Sequence, residues 1–112
     1  VVAKAYVPDV GDIVWLQFDP QASHEQAGHR PAMVLSPSRY NAARGMMICC
    51  PMTSTIKGYV FEVVASRVPP TVVLADQVKS VDWRARAATL KGRVSADVVA
   101  EVRAKIKALL KL

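Results

Sequence analysis

The 112 residues predict a mainly β chain with one helix: a compact, strongly curved antiparallel sheet or partly open barrel closed by a C-terminal α-helix. Three observations lead there. Short apolar or alternating segments of strand length recur along the chain, each bounded by Gly, Pro, Asp or Ser. After residue 94 the apolar period changes from two to three-and-four. No repeat, linker or low-complexity block divides the chain, and its length suits one core, so residues 1–112 are read as a single domain.

The elements follow in order. Gly11-Asp12 is a turn signal, and "GDIVWLQFD" alternates Ile13, Trp15 and Gln17 with Val14, Leu16 and Phe18, a strand ended by Asp19-Pro20. The polar, glycine-containing "QASHEQAGHR" reads as a loop. In "PAMVLS" a buried strand begins, with Pro31 at its first residue, where a missing amide donor is tolerated. "SPSRYNAARG" offers a short helical turn closed by Gly45. "MMICCPM" is a further buried strand, expected to stop at Pro51 before a turn over residues 53–58. "YVFEVVA" and "TVVLADQV" continue the pattern, and "AATLKGRV" gives a last strand. The tail "SADVVAEVRAKIKALLKL" repeats Val98, Val102, Ile106 and Leu109 or Leu110 on one helical face, with Ser95 as N-cap, Asp97 and Glu101 early and lysines late.

Apolar residues make up 52% of the chain and no charge-dense block interrupts them, which excludes a disordered protein. No run approaches the roughly 18 apolar residues of a membrane span, and the N-terminus lacks a basic-then-apolar leader, so a cytoplasmic protein with no membrane contact is expected. Cys49 and Cys50 are neighbours that a strand sends to opposite faces, a poor disulfide pair and too few ligands for zinc; reduced packing thiols, with no metal or other cofactor, are expected. A net charge of +6 favours an anionic partner. Lys79, Arg84, Arg86, Lys91 and Arg93 face only Asp82 in their stretch, which reads either as a basic patch or as a solvated face.

Several separated blocks then appear in one order: "YVPDVGDIVWLQFDP", "SHEQAGHRPAMVLSP", "PMTS", "KGY", "FEV" and "LADQVKS". Together they resemble the MazF/PemK (Kid) toxins of bacterial type II toxin–antitoxin modules, over roughly residues 6–111, and most closely the MazF branch. The resemblance implies a PemK/CcdB-like, SH3-type β-barrel, a homodimer, and a MazE-like antitoxin as partner. It also implies metal- and ribosome-independent cleavage of single-stranded RNA at short sequences. The expected outcome is inhibited translation and growth, with the substrate 2′-OH as nucleophile and 2′,3′-cyclic phosphate and 5′-OH ends.

By the same resemblance, the arginine of Gly-x-Arg-Pro and the threonine of the "PMTS" turn are an active-site pair, here Arg30 and Thr53. The residue types suit the chemistry. A guanidinium offers a permanent charge and a two-pronged fork to phosphate oxygens, and a hydroxyl can hold the scissile phosphate. The competing role for Thr53 is a turn-capping hydroxyl. The proton carrier stays open between His24, Glu25 and His29: the MazF pattern points to Glu25, the Kid pattern to His24, and histidine titrates nearest neutrality. Kid also has an arginine two residues before its Asp-Gln, where this chain has Leu74, so the MazF arrangement centred on Arg30 fits better. Phe18, Asp19, Gln26, Ser54 and Lys57 are assigned to substrate binding, as are Asp76 and Gln77, for which loop support or a structural strand-end role competes. Trp15, Phe18 and Trp83 are candidate platforms for unpaired bases, with core packing as the competing role for each.

Two other functions compete: a CcdB-like toxin that targets gyrase and cleaves nothing, and a non-catalytic RNA-binding barrel. The first would not need "GHRP" beside "PMTS", whereas the second differs only in whether bound RNA is cut.

Overall fold

The computed structural model describes residues 5–18 and 28–112. Its strands are β1 (Asp12–Phe18), β2 (Gly28–Val34), β3 (Met47–Thr53), β4 (Glu62–Arg67), β5 (Pro70–Leu74), β6 (Lys79–Val81) and β7 (Thr89–Arg93). Helix α1 (Ser38–Arg44) lies between β2 and β3, and α2 (Ala96–Leu110) ends the chain. The strand order is β4-β5-β3-β2-β1-β7, with β6 also paired to β3, and every pairing is antiparallel. The sheet curls into a half-barrel, the partly open form expected from the sequence.

The continuous apolar runs of β2 and β3 have a simple cause: this part of the sheet is covered on both faces. Val14, Leu16, Ala32, Val34, Met47 and Cys49 form one core with Val81 and Trp83. The intervening positions Met33, Cys50 and Met52 form a second with Val63, Val73, Ala75 and the α2 residues Val99 and Val102. Cys49 and Cys50 therefore point into different cores, as two free buried thiols. Burial pushes their ionisation up to about 11 and about 12 respectively.

Helix α2 is capped as expected, the Ser95 hydroxyl accepting the amide of Val98 at 3.3 Å. Its apolar stripe is shorter than the sequence suggests: Val99, Val102 and Ile106 pack on the sheet, while Leu109 and Leu110 are exposed. Gly11 and Gly45 adopt positive φ values of 85° and 66°, the first turning the chain into β1 and the second ending α1.

Several boundaries differ from expectation. Gly28, His29 and Arg30 belong to β2 rather than to the preceding loop, because they pair with Phe18, Gln17 and Leu16 of β1. Pro31 is thus inside the strand. It is tolerated there because the β2–β3 ladder starts only at Ala32, so β2 is locally an edge at Pro31. Nor does Pro51 stop β3. One edge of β3 pairs with β6 up to Cys49 and with β5 from Met52, and Pro51 falls in the gap.

The strand expected over residues 59–65 begins at Glu62. Gly58 has φ of 78°, and Glu62 donates its amide to the Tyr59 carbonyl while its carboxylate accepts the amides of Lys57 and Gly58, which fixes a turn there. The strand expected over residues 71–78 ends at Leu74, and Ala75–Gln77 form a 3-10 turn. Strand β6, three residues long, carries too little sequence pattern to be anticipated.

Candidate active site

The two-sided sheet opens at one place. Pairing between β2 and β3 runs from Val34↔Cys49 to Ala32↔Pro51 and then stops. Beyond it, Gly28–Pro31 stays with β1, while Met52 and Thr53 pair with Val73 and Val72 of β5. Extending the β2–β3 register by two residues sets Arg30 opposite Thr53, both on the face shared by Ala32 and Pro51. These two residues stand on the two arms of a fork, and both line a cleft of about 700 Å³.

The arms are held differently. Arg30 is half-buried at the end of a strand anchored by β1. The Thr53 hydroxyl accepts the Thr55 amide at 3.0 Å, the turn-capping role expected as its alternative. That bond uses a lone pair and leaves the hydroxyl proton able to be donated, so capping and phosphate binding are compatible in one group. Ser54 and Lys57 line the cleft beyond Thr53. Their turn is organised by Glu62, whose two carboxylate oxygens accept the Lys57 and Gly58 amides at 2.9 and 2.8 Å.

Among the residues assigned from sequence, Arg30, His29, Thr53, Ser54, Lys57 and Gln77 meet in this cleft. Asp76 acts one step behind it. Its carboxylate accepts the Tyr59 hydroxyl at 2.8 Å, and this bond holds the Tyr59 ionisation up at about 12. Tyr59 itself forms part of the cleft wall. Asp19, His24, Glu25 and Gln26, and the side chain of Phe18, lie outside the described residues.

His29 alternates with Arg30 along β2 and so faces the other side of the strand, with Trp15. Its Nε2 lies 3.1 Å from the side-chain Nε2 of Gln17, a hydrogen bond across the strand pair. Trp83 is core: it is 7% exposed and donates its indole N–H to the Asn41 carbonyl. Trp15 instead lines the cleft.

The basic residues of 79–93 have different surroundings. Arg84 bonds the Ala42 carbonyl at the end of α1, Arg86 that of Gln17, and Arg93 lies 3.3 Å from the buried Asp12. Of the five, Lys91 reaches the cleft. Sequence reasoning missed Tyr59, Glu62 and Lys91 as parts of the site. Tyr59 and Glu62 sit within the "KGY" and "FEV" blocks, a signal that was present. The position of Lys91 depends on a strand irregularity with no sequence mark.

Comparison with known proteins points to one family. Residues 9–110 match the family model described as PemK-like, MazF-like toxin of type II toxin-antitoxin system. The endoribonuclease toxin MazF of Escherichia coli K12 is 55% identical over 110 residues, 97% of this chain and 99% of that protein. A crystal structure of MazF from Deinococcus radiodurans, 53% identical, superposes with a TM-score of 0.85 over 96% of this chain and all of its own (100%). A MazE–MazF complex from the same organism, also 53% identical, reaches 0.88 over 96% of this chain and 99% of the matched chain. The chain thus belongs to the PemK-like, MazF-like toxin family of type II toxin–antitoxin systems.

Proposed function

We propose that this protein is the endoribonuclease toxin of such a pair and that it cuts single-stranded RNA at the fork between β2 and β3. The observation that carries the reading is that Arg30 and Thr53, level with each other when the β2–β3 register is extended, line one cleft. A phosphate between them meets a permanent positive charge on one side and a hydroxyl on the other.

The reaction needs little more. A base removes the proton of the ribose 2′-OH, the freed oxygen attacks the adjacent phosphorus, and the bond to the 5′-oxygen breaks as that oxygen takes up a proton. The products are a 2′,3′-cyclic phosphate and a 5′-OH. Arg30 stabilises the charge that grows on the phosphoryl oxygens, and Thr53 orients the group. DNA, without the 2′-OH, is spared. Because β2 turns His29 away from the Arg30 side, the alternation supports Glu25 or His24 as the base, with His29 serving RNA binding.

The E. coli relative is an endoribonuclease by name and a D. radiodurans relative is seen bound to MazE, which supports RNA as substrate and a MazE-like antitoxin as partner. The antitoxin competes with RNA for the cleft, an acidic extended segment matching the charge of the phosphate backbone. The toxin works as a homodimer in the cytoplasm, where its RNA lies.

The test is incubation of the pure protein in EDTA with long single-stranded RNA and matched DNA, beside Arg30→Ala. RNA-only cuts at one short motif, slowed at least about 10²-fold in the variant, are expected. Bound but intact RNA would support the non-catalytic barrel, and neither binding nor cutting would support a protein target such as gyrase.

A further inference from the structure

The two tryptophans of this chain have different surroundings. Trp83 is a member of a buried core and its N–H is satisfied there. Trp15 sits on β1 between β2 and β7, paired with Pro31 and Thr89, yet among the described residues it belongs to neither core cluster and its half-buried indole lines the cleft. Two side chains attend it. The His29 ring lies 6.1 Å away, centroid to centroid, tilted by 32°, and is held by Gln17 directly across the strand pair. The Lys91 ammonium lies over the indole, 5.2 Å from its centroid.

The position of Lys91 has a backbone cause. Val14 pairs with Leu90 and Ile13 with Gly92, so Lys91 is the extra residue of a β-bulge. A bulge re-aims one side chain out of the ladder, here onto an aromatic ring in the cleft. An aromatic face, a second ring beside it and a cation on a flexible stem are the parts with which single-stranded nucleic acid is gripped.

Resting on the endoribonuclease reading, we propose that Trp15, with His29 and Lys91, forms a seat on which one unpaired base of the RNA stacks next to the phosphate held at the fork. On binding, Lys91 yields the ring face to the base and swings its charge to the phosphate beside that base. The seat secures the substrate on the side of β2 opposite Arg30, so the strand passes around the free edge of β2 at Gly28–Pro31.

The test is steady-state cleavage of a short RNA with one cut site by wild type, Trp15→Leu, Trp15→Phe and Lys91→Met, repeated with an abasic nucleotide placed at each position in turn. Trp15→Leu should raise KM about 10- to 100-fold with kcat within about 3-fold. Trp15→Phe should recover most of that loss, and Lys91→Met should raise KM less and flatten its dependence on salt. One abasic position should raise KM for wild type and not for Trp15→Leu. An unchanged KM in Trp15→Leu, a fall confined to kcat, or equal abasic losses in both proteins would overturn the proposal.

Should Trp15→Leu fail to fold, wild type titrated with an uncuttable 2′-O-methyl RNA decides. Quenching of the indole fluorescence, lost with one abasic position, supports the seat, and no quenching on binding overturns it. A wild type that binds but does not cut overturns the endoribonuclease reading alone, since the same titration still reads the stacking. A wild type that does not bind overturns both.

Discussion

Strands β2 and β3 each serve two purposes, and the boundary between them is a single residue pair. On one side of Ala32↔Pro51 the strands are laddered together, both faces are covered, and Met33, Val34, Cys49 and Cys50 are fully enclosed. On the other side the strands part, the apolar pattern gives way to Arg30 and Thr53, and a cleft takes the place of a core. The same register governs both halves. Tight packing in the closed half is therefore what fixes where the two strands part and where Arg30 and Thr53 enter the cleft.

The two halves should fail under different insults. The largest effect expected is alkaline. The Cys49 and Cys50 thiols are raised from near 9 to about 11 and about 12, chiefly by burial. Below pH 9 both stay neutral whether the chain is folded or not, and the stability they carry is intact. Above it the unfolded chain ionises its thiols while the folded one does not, so stability declines as pH rises towards 11–12. Urea midpoints measured from pH 7 to 11 should fall through this window, and the slope should shrink in the Cys49→Ala/Cys50→Ala double variant. A flat profile in wild type would show that the thiols are not held neutral by the core.

Next in size is Met33→Ala, which opens a cavity between the sheet and α2 and should cost about 2–5 kcal/mol in denaturant unfolding. The rate per folded molecule should stay close to wild type. A matched fall in kcat would mean that the closed half transmits its slack to the fork, tying the two halves more closely than a shared register requires.

Thr53→Val is the converse. It keeps a β-branched side chain at the end of β3 and removes the hydroxyl, so RNA cleavage should drop about 10²-fold. Thermal unfolding should reveal a cost of no more than about 1 kcal/mol, from the lost bond to the Thr55 amide. A large loss of stability with little loss of rate would return Thr53 to the turn-capping role alone.

The closed half was legible in the sequence and the open half only in part, for physical reasons. Period and composition report burial, and burial is what Val14, Leu16, Met33, Cys50 and Val102 share. The fork has no such signature. His29 and Arg30 are polar, and they are in a strand only because distant residues of β1 pair with them. Pro51 reads locally as a stop, yet it sits where two partner strands hand over along one edge. Arg30 and Thr53 stand out as candidates only through motif blocks shared with a family, and what the structure adds is that both line one cleft where β2 and β3 part. Lys91 enters the cleft through a bulge, and Tyr59 and Glu62 through a turn built by side-chain hydrogen bonds; none of these leaves a periodic trace.

The smallest effect tests how far the closed half extends. Helix α2 covers one face of it through Val99 and Val102, and the helix starts at Ser95, directly after Val94, whose amide bonds the Gly11 carbonyl at the head of β1. The Ser95 hydroxyl satisfies one of the amides left without a partner at the first turn, so Ser95→Ala should cost about 1 kcal/mol of unfolding free energy. Ser95→Asp should restore it, since aspartate accepts the same bond and adds a charge favourable at a helix N-terminus. RNA cleavage at saturating substrate should be equal in all three proteins, because α2 packs behind Met33 and Cys50 rather than against the fork. Should Ser95→Ala slow cleavage while Ser95→Asp does not, the start of α2 would be part of what sets the spacing of the two arms, and the boundary at Ala32↔Pro51 would be softer than the ladder implies.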